Sequence, residues 1–382
     1  MAEGLMTAPR IFFYVQHLLG IGHIARASRI ANALVKDGFE VTVVTGGLPV
    51  PGFPGEGVRT VELPPVVASN IGFTGLADAD GRPAGEEFLS NRRDLLLRAF
   101  DEEKPDVVII EAFPFGRRQM RFELLPLLEA IEKASPRPKL LSSVRDILQE
   151  NRKPGRDEET VKLIKDHFDA VLVHGDPDFV RLEDTFPLTA EIADRLRYTG
   201  LVAPSPAPAP SETFDIIASA GGGAVGLELI RAARDAAAHM PADISWLLIA
   251  GPNLPAADFS ALLEDAPANV TLVRFRKDFP SLLRGAKVSI SQAGYNTVGD
   301  LLRTQCRSIL IPFVAAGETE QTVRAERLQA LGLAEILPEQ GLTLDDVKTA
   351  VERALAAPPR PAVSLDLDGA VKSAAIIRSM IG

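Results

Sequence analysis

In QHLLGIGHIARASRIANAL, Gly20 and Gly22 stand directly before His23. Glycines there let a ligand approach the backbone, and an imidazole titrates close enough to neutral pH to take a proton from a hydroxyl or a water. A carboxylate beside the ring would hold it in one tautomer and stabilise the imidazolium as it forms. Glu111 can supply one, because it ends the apolar run Asp106 to Glu111 and should reach the same sheet edge as the loop carrying His23. Further along, AFPFGRRQMRFELLPLL sets Arg117, Arg118 and Arg121 among Phe113, Phe115, Met120 and Phe122, a basic and apolar surface suited to an anionic lipid or a phosphorylated acceptor. SSVRDIL adds Ser142, Arg145 and Asp146, and VLVHGDPDF adds His174, which reads as a loop residue. In the second half, AGGGAVG offers Gly222 and Gly223, and QAGYNTVGD offers Gly294, Asn296, Thr297 and Asp300 at the start of a helix. Backbone N–H groups at such a helix start face anions well, although the dipole alone would also favour an acid at Asp300. Glu320 and Gln321 open another helix and suit hydroxyl groups, a carboxylate accepting protons and an amide both donating and accepting.

The elements that position these residues follow from periodicity. Short β-branched runs alternate with helical stretches, which argues for parallel sheets with crossover helices. The predicted strands of the first half are Ile11 to Val15, Glu40 to Thr45, Asp106 to Glu111, Lys139 to Val144 and Ala170 to His174. The proline-rich PSPAPAPSE after Ala203 can continue neither a helix nor a central strand and marks a boundary. The pattern then restarts, with strands at Phe214 to Ala218, Ser245 to Ala250, Val270 to Phe275, Lys287 to Ser291 and Ser308 to Ile311, and a helix at Leu227 to His239. The expected organisation is a domain over 1–202, a linker over 203–212 and a second domain over 213–382 whose last helix packs back on the first. Two doubly wound α/β domains of this kind imply a cleft between them.

Composition narrows the function classes. Among 382 residues the net charge is −10, with 46% hydrophobic and 24% charged residues, which describes a folded protein and disfavours a general nucleic-acid binder. The single cysteine, Cys306, rules out an intramolecular disulfide and fits a reducing cytoplasm. No apolar run approaches the roughly 20 residues that cross a bilayer, and MAEGLMTAPR lacks the apolar core of a signal peptide. Neither glycine turn is a dinucleotide fingerprint, and no Gly-Lys-Ser or Gly-Lys-Thr of a P-loop occurs. Asp-x-Asp occurs at Asp78 to Asp80, Asp176 to Asp178 and Asp366 to Asp368, each in a turn-like setting where aspartate is favoured anyway, so no metal or other cofactor is expected.

Taken together, GIGHIARASRIANAL, SAGGGAVG and SISQAGYNTVGDLLRTQCRSILIPFVAAGETEQTVRAERLQALG resemble the two-domain GT-B glycosyltransferases. The likeness is to the branch that contains the N-acetylglucosaminyltransferase of peptidoglycan synthesis. It implies two Rossmann-like parallel-sheet domains, the first binding the acceptor and the second a nucleotide sugar, a UDP-sugar in that branch. Carried over residue by residue, it implies that Asp300 meets ribose hydroxyls, Glu320 and Gln321 the donor sugar, and Phe275 and Arg276 the base, with Phe275 equally suited to a core. Gly222 and Gly223 would approach the diphosphate; Ala224 stands where the family carries a hydroxyl, so any grip there would be by backbone donors. His23 with Glu111 would be the catalytic pair, and Gly20, Gly22, Arg117, Arg118, Arg121 and Arg145 would face the acceptor. The resemblance implies inversion at the sugar, a lipid-linked or otherwise anionic acceptor, contact with the inner face of the membrane and no metal. Three other activities share these residues: a nucleotide-sugar hydrolase in which the histidine activates water, a nucleotide-sugar-binding protein without chemistry, and a UDP-sugar epimerase, whose additional acids have no match here.

Overall fold

The computed structural model describes residues 8–18, 22–69, 75–149, 153–221, 226–314, 319–358, 361 and 364–382. Two compact units result, Met1–Val202 with Asp368–Gly382, and Ala203–Leu367. The second unit therefore takes in the proline-rich segment and ends before the last helix, which belongs to the first.

The first unit is built on strands β1 (Arg10–Val15), β2 (Glu40–Thr45), β3 (Arg59–Glu62), a two-residue antiparallel pair β4 (Val67–Ala68) and β5 (Leu76–Ala77), then β6 (Val107–Glu111), β7 (Lys139–Arg145), β8 (Ala170–His174) and β9 (Leu196–Tyr198). Helices α1 (Gly22–Lys36), α2 (Glu86–Glu103), α3 (Arg121–Lys133) and α4 (Arg156–His167) cross between them. The main sheet is parallel in the order β3-β2-β1-β6-β7-β8-β9. Its central strands are buried along their length apart from Arg10 at the start of β1, as strands covered by helices on both faces must be, which is why they read as apolar runs. Strand order reverses between β1 and β6, and in open α/β sheets that switch point, at the carboxyl ends, is where ligands bind.

The second unit repeats the plan with β10 (Ile216–Ser219), β11 (Trp246–Ile249), β12 (Val270–Val273), β13 (Val288–Ser291), β14 (Arg307–Leu310) and β15 (Ala334–Ile336). Its helices are α5 (Leu227–Ala238), α6 (Ala256–Glu264), α7 (Phe279–Gly285), α8 (Tyr295–Thr304), α9 (Glu320–Ala330) and α10 (Leu344–Ala356). All pairings are parallel in the order β12-β11-β10-β13-β14-β15, so the switch point lies between β10 and β13. Each unit has its own core, the first around Phe12, Tyr14, Ile110, Leu127 and Phe168, the second around Trp246, Ile230, Ile290 and Ile309.

Helix α11 (Gly369–Ile381) lies on α1. Its first residue must be glycine, because a Cβ there would come within 2.3 Å of the Gly200 carbonyl oxygen. At its far end Arg378 donates from Nε to Asp37 at 3.0 Å and covers the Phe39 ring at 4.1 Å.

Candidate functional site

In the first unit the candidate residues meet at the β1/β6 switch point. The helix that follows β1 carries His23 in its first turn, while Glu111 is the last residue of β6, paired to β1 through Tyr14 and Ile110. His23 and Glu111 touch, with Nδ1 2.7 Å from Oε1. Glu111 is 1% exposed and His23 22%, so the carboxylate is enclosed while the ring is reachable. Arg26, one turn along α1 and buried, donates from Nη2 to the same Oε1 and lies 3.3 Å from Nδ1.

The charges fix the tautomer. Burial alone would raise the Glu111 carboxyl, but His23, Arg26 and Arg117 together hold it well below the usual carboxylate range, so it is ionised and accepts. His23 then donates from Nδ1–H to Oε1, and its Nε2 lone pair is left to take a proton. Burial lowers the His23 pKa below the ordinary 6.5; Glu111 opposes that, and Arg117 and Arg26 reinforce it. The result is a neutral imidazole at neutral pH with a carboxylate behind it, the arrangement of a general base.

The segment after Glu111 folds back over the strand end. Ala112 has φ 64, a left-handed conformation uncommon for a residue with a Cβ, held by its N–H on the Ser143 carbonyl at 2.9 Å and by Gly116 N–H on its own carbonyl at 2.6 Å. Arg117 is left-handed too, at φ 57, and brings Nη2 to 3.7 Å from Glu111 Oε2. Arg118 and Arg121 do not join it. Arg118 donates to Glu159 at 2.6 Å, to the Arg156 carbonyl and to Thr160, and Arg121 pairs with the same Glu159, so both tie the loop to α4. The aromatic residues among them, Phe113 and Phe115, are core. Arg145 ends β7 two residues after Ser143, the residue paired with Glu111, and Asp146 accepts from the Ile147 N–H at 2.9 Å. His174, read both as the end of the predicted strand Ala170 to His174 and as a loop residue, is the strand end: it closes β8, fully buried between Ser143 Oγ at 2.8 Å and Thr199 Oγ1 at 2.9 Å. Burial holds its pKa well below 6.5, so it is a structural neutral imidazole. Gly22 is the exposed first residue of α1; Gly20 lies outside the described residues.

Two features behind this site were not anticipated. His17, two residues past β1, is 7% exposed and packs so closely on Gly47 that a Cβ there would reach within 2.2 Å of its ring. Beneath it, Arg92 of α2 is wholly buried and places all five guanidinium N–H groups: Nε on Glu123, Nη1 on the carbonyls of Gly46 and Pro64, and Nη2 on Gln16 and Glu123. Tyr14 donates to Glu123 at 2.5 Å. This network fixes the loops after β1, β2 and β3 to helices α2 and α3. Its sequence signal is an arginine on the apolar stripe of α2, between Leu89 and Leu96, and Glu123 beside Leu124 and Leu127 of α3.

In the second unit Asp300 is 8% exposed, one turn into α8. Gly294 caps that helix with φ −65, an ordinary extended value, so no tight left-handed turn occurs there. What the missing side chain leaves is room: a Cβ at Gly294 would meet nothing within 4 Å, so the α8 N-terminus carrying Asn296 and Thr297 is open to approach. Gln321 is a brace. Its Oε1 accepts from Ala293 N–H at 3.0 Å and Phe313 N–H at 3.2 Å, joining the loops after β13 and β14. Glu320 is 4% exposed and receives Arg324 Nη2 at 2.7 Å, while Arg324 Nη1 donates to the Ala293 carbonyl. Phe275 is 64% exposed, which removes it from the core, because β12 stops at Val273. Arg276 is bound bidentate to Asp278 and to Glu212 at 2.6 Å, so its guanidinium serves an ion-pair network. Gly222 and Gly223 lie outside the described residues.

No group of three or more histidine, cysteine, aspartate or glutamate side chains that could hold a metal occurs among the described residues. Asp78 and Asp176 spend a carboxylate oxygen on their own turns, accepting from Asp80 N–H and Asp178 N–H. No helix among the described residues is long and apolar enough to cross a membrane.

Residues 219–367 match the glycosyltransferase family 28 C-terminal domain, a span that holds both edges of the β10/β13 switch point. That span is most of the second unit, which is thus similar to a family 28 glycosyltransferase C-terminal domain. The chain is also similar to UDP-N-acetylglucosamine--N-acetylmuramyl-(pentapeptide) pyrophosphoryl-undecaprenol N-acetylglucosamine transferases. That of Synechocystis is 32% identical over 116 residues, 28% of this chain and 33% of that protein. That of Thermotoga neapolitana is 25% identical over 178 residues, 46% of this chain and 50% of that protein. The matched stretches thus span a third to a half of these relatives. The fold as a whole is GT-B: the chain superposes on Acinetobacter baumannii MurG with a TM-score of 0.60 at 17% identity, covering 97% of this chain and 100% of that one. The calicheamicin glycosyltransferase CalG4 gives 0.63 at 18% identity, covering 99% and 96%.

Proposed function

We propose that the protein is an inverting glycosyltransferase that moves a sugar from a nucleotide sugar, a UDP-sugar by the relatives' example, to an acceptor hydroxyl activated by His23. The observation that carries the reading is the His23–Glu111 contact at the β1/β6 switch point, with Nε2 free to accept and the carboxylate buried behind it. In the step, the acceptor oxygen bonds to the anomeric carbon from the face opposite the leaving group. The bond from that carbon to the diphosphate oxygen breaks, and the hydroxyl proton passes to His23 Nε2. Glu111 stabilises the imidazolium formed, and helix N-termini of the second unit stabilise the leaving diphosphate, so no metal is needed.

Donor binding is assigned to the second unit, with the backbone at Gly222, Gly223, Gly294, Asn296 and Thr297 for phosphates, Asp300 for ribose and Phe275, with the main chain at Arg276, for the base. Glu320 contributes what its pairing with Arg324 leaves accessible, and Gln321 positions the two loops that meet the sugar. The acceptor in the relatives' name, a pyrophosphoryl-undecaprenol, supports a lipid-linked acceptor and work at a membrane surface.

The purified protein is to be incubated with UDP-, GDP- and dTDP-sugars, with and without lipid extract, while free nucleotide and glycosylated lipid are measured. Transfer that requires the extract is expected. Sugar release at full rate without any acceptor would replace transfer by hydrolysis, with His23 activating water.

A further inference from the structure

Arg117 is a buried cation with unused donors. Its Nε and Nη2 have no hydrogen-bond partner, although its side chain is only 15% exposed. Glu111 Oε2, at 3.7 Å, is beyond hydrogen-bond reach and is itself without a hydrogen-bond partner. Buried donors left in that state are costly, so they mark a place where an acceptor is missing. The backbone keeps the guanidinium there, since Arg117 is set left-handed at the head of the Arg118–Met120 turn and Arg118 is bound to α4.

Charge points the same way. The groups acting on Arg117 are Glu111 from β6, Tyr14 from β1, Arg145 from β7 and Arg26 from α1. Tyr14 stays neutral, its hydroxyl raised by burial and Glu123, and the nearby imidazoles of His17 and His23 are both held toward the neutral form by burial. Arg117 and Arg26 thus both act on the Glu111 carboxylate, and Arg117 makes no hydrogen bond to it. The Nε/Nη2 edge of a guanidinium offers two parallel N–H groups, which match two oxygens of one phosphate or carboxylate.

We infer that Arg117 is an anion-binding residue whose Nε and Nη2 edge takes an oxyanion of a substrate beside His23. This rests on the reading of His23 as the site of acceptor activation, and it adds that a phosphate or carboxylate accompanies the reacting hydroxyl. The oxyanion belongs either to the acceptor or to the donor's diphosphate.

The test needs no turnover. The chain has five histidines, so each ring can be followed by NMR in the full-length protein and His23 assigned with His23→Gln. Inorganic pyrophosphate, UDP and a short prenyl diphosphate are titrated into wild type, Arg117→Lys and Arg117→Met, with melting temperatures confirming that each variant is folded. In wild type, pyrophosphate should shift the His23 resonances and raise the pH at which the ring titrates, because a negative charge has arrived beside it. Arg117→Met should weaken that binding by about ten- to a hundred-fold, the loss of charge-assisted hydrogen bonds, and Arg117→Lys by less. Weakened prenyl diphosphate binding with UDP unaffected assigns the oxyanion to the acceptor, and weakened UDP binding assigns it to the donor. Equal pyrophosphate affinity in wild type and Arg117→Met, or no response of His23 in wild type, overturns the inference. Arg117-dependent binding in a protein that transfers no sugar would leave this inference standing and remove the glycosyltransferase reading instead.

Discussion

Replacing Glu111 with glutamine removes one charge and nearly nothing else, which makes it the sharpest probe of the catalytic pair. The amide oxygen can still accept the His23 Nδ1–H over the 2.7 Å contact, so ring orientation should survive. What is lost is the attraction between imidazolium and carboxylate. For charge centres about 4 Å apart at an effective dielectric near 20 it is about 4 kcal/mol. Solvent reaching a ring that is 22% exposed and the partial charge of a transition state reduce the realised loss to roughly 2–4 kcal/mol, a fall in kcat of about 30- to 1000-fold. The pH profile should move in an informative direction. Glu111 is the group that raises the His23 pKa, while burial, Arg117 and Arg26 lower it. Without the carboxylate, the acid limb of kcat/KM, which already falls below pH 6.5, should move further down. The assay is nucleotide release against pH for both proteins, with KM and melting temperature measured alongside, because Arg26 loses its buried partner too. A kcat within threefold of wild type and an unmoved acid limb would refute the reasoning.

Arg92→Leu should destabilise the first unit by about 3–5 kcal/mol in denaturant unfolding, because it strands Glu123 without its buried partner and frees the Gly46 and Pro64 carbonyls. Asp300→Ala should weaken UDP binding by about ten- to a hundred-fold in calorimetry while leaving the fold intact, as expected for lost charged hydrogen bonds. Stability should fall as pH drops through 6.5, because His23 and His174 resist protonation in the fold but accept protons once unfolded. Each ring contributes about 1.4 kcal/mol per pH unit until its folded pKa is reached. His174→Gln should make the melting temperature less steep in acid, and an unchanged slope would contradict the neutral buried ring.

How much of this was legible in the sequence depended on how local the cause was. Parallel strands such as Glu40–Thr45 and Ala170–His174 read directly as β-branched runs, because a strand buried on both faces has to be apolar throughout. The short edge strands β3, β9 and β15 gave no such signal, being partly exposed and mixed in composition. Glu111 could be placed beside His23 because both sit where adjacent parallel strands end, a consequence of topology alone. Arg26 could not be placed in the same way. It reads as an ordinary helix residue until Glu111 arrives from 85 positions away. Distant partners likewise bear on Arg276, claimed by Glu212 as well as by nearby Asp278, and on Gln321, whose oxygen is spent on two backbone N–H groups rather than held out to a sugar. Arg118 and Arg121 belong to the same class: a run of arginines looks free until Glu159 on α4 is seen to hold two of them. Phe275 shows the converse, since the strand it was assigned to ends two residues earlier and leaves the ring outside.

The central claim is that His23 removes the acceptor proton. Nucleotide-sugar turnover in the presence of lipid extract, measured for wild type and His23→Ala together with the affinity of each for UDP, tests it most directly. Loss of a general base predicts a fall in turnover of about a hundredfold or more with UDP affinity unchanged. Turnover within a few-fold of wild type, in a His23→Ala protein that still binds UDP, would contradict it.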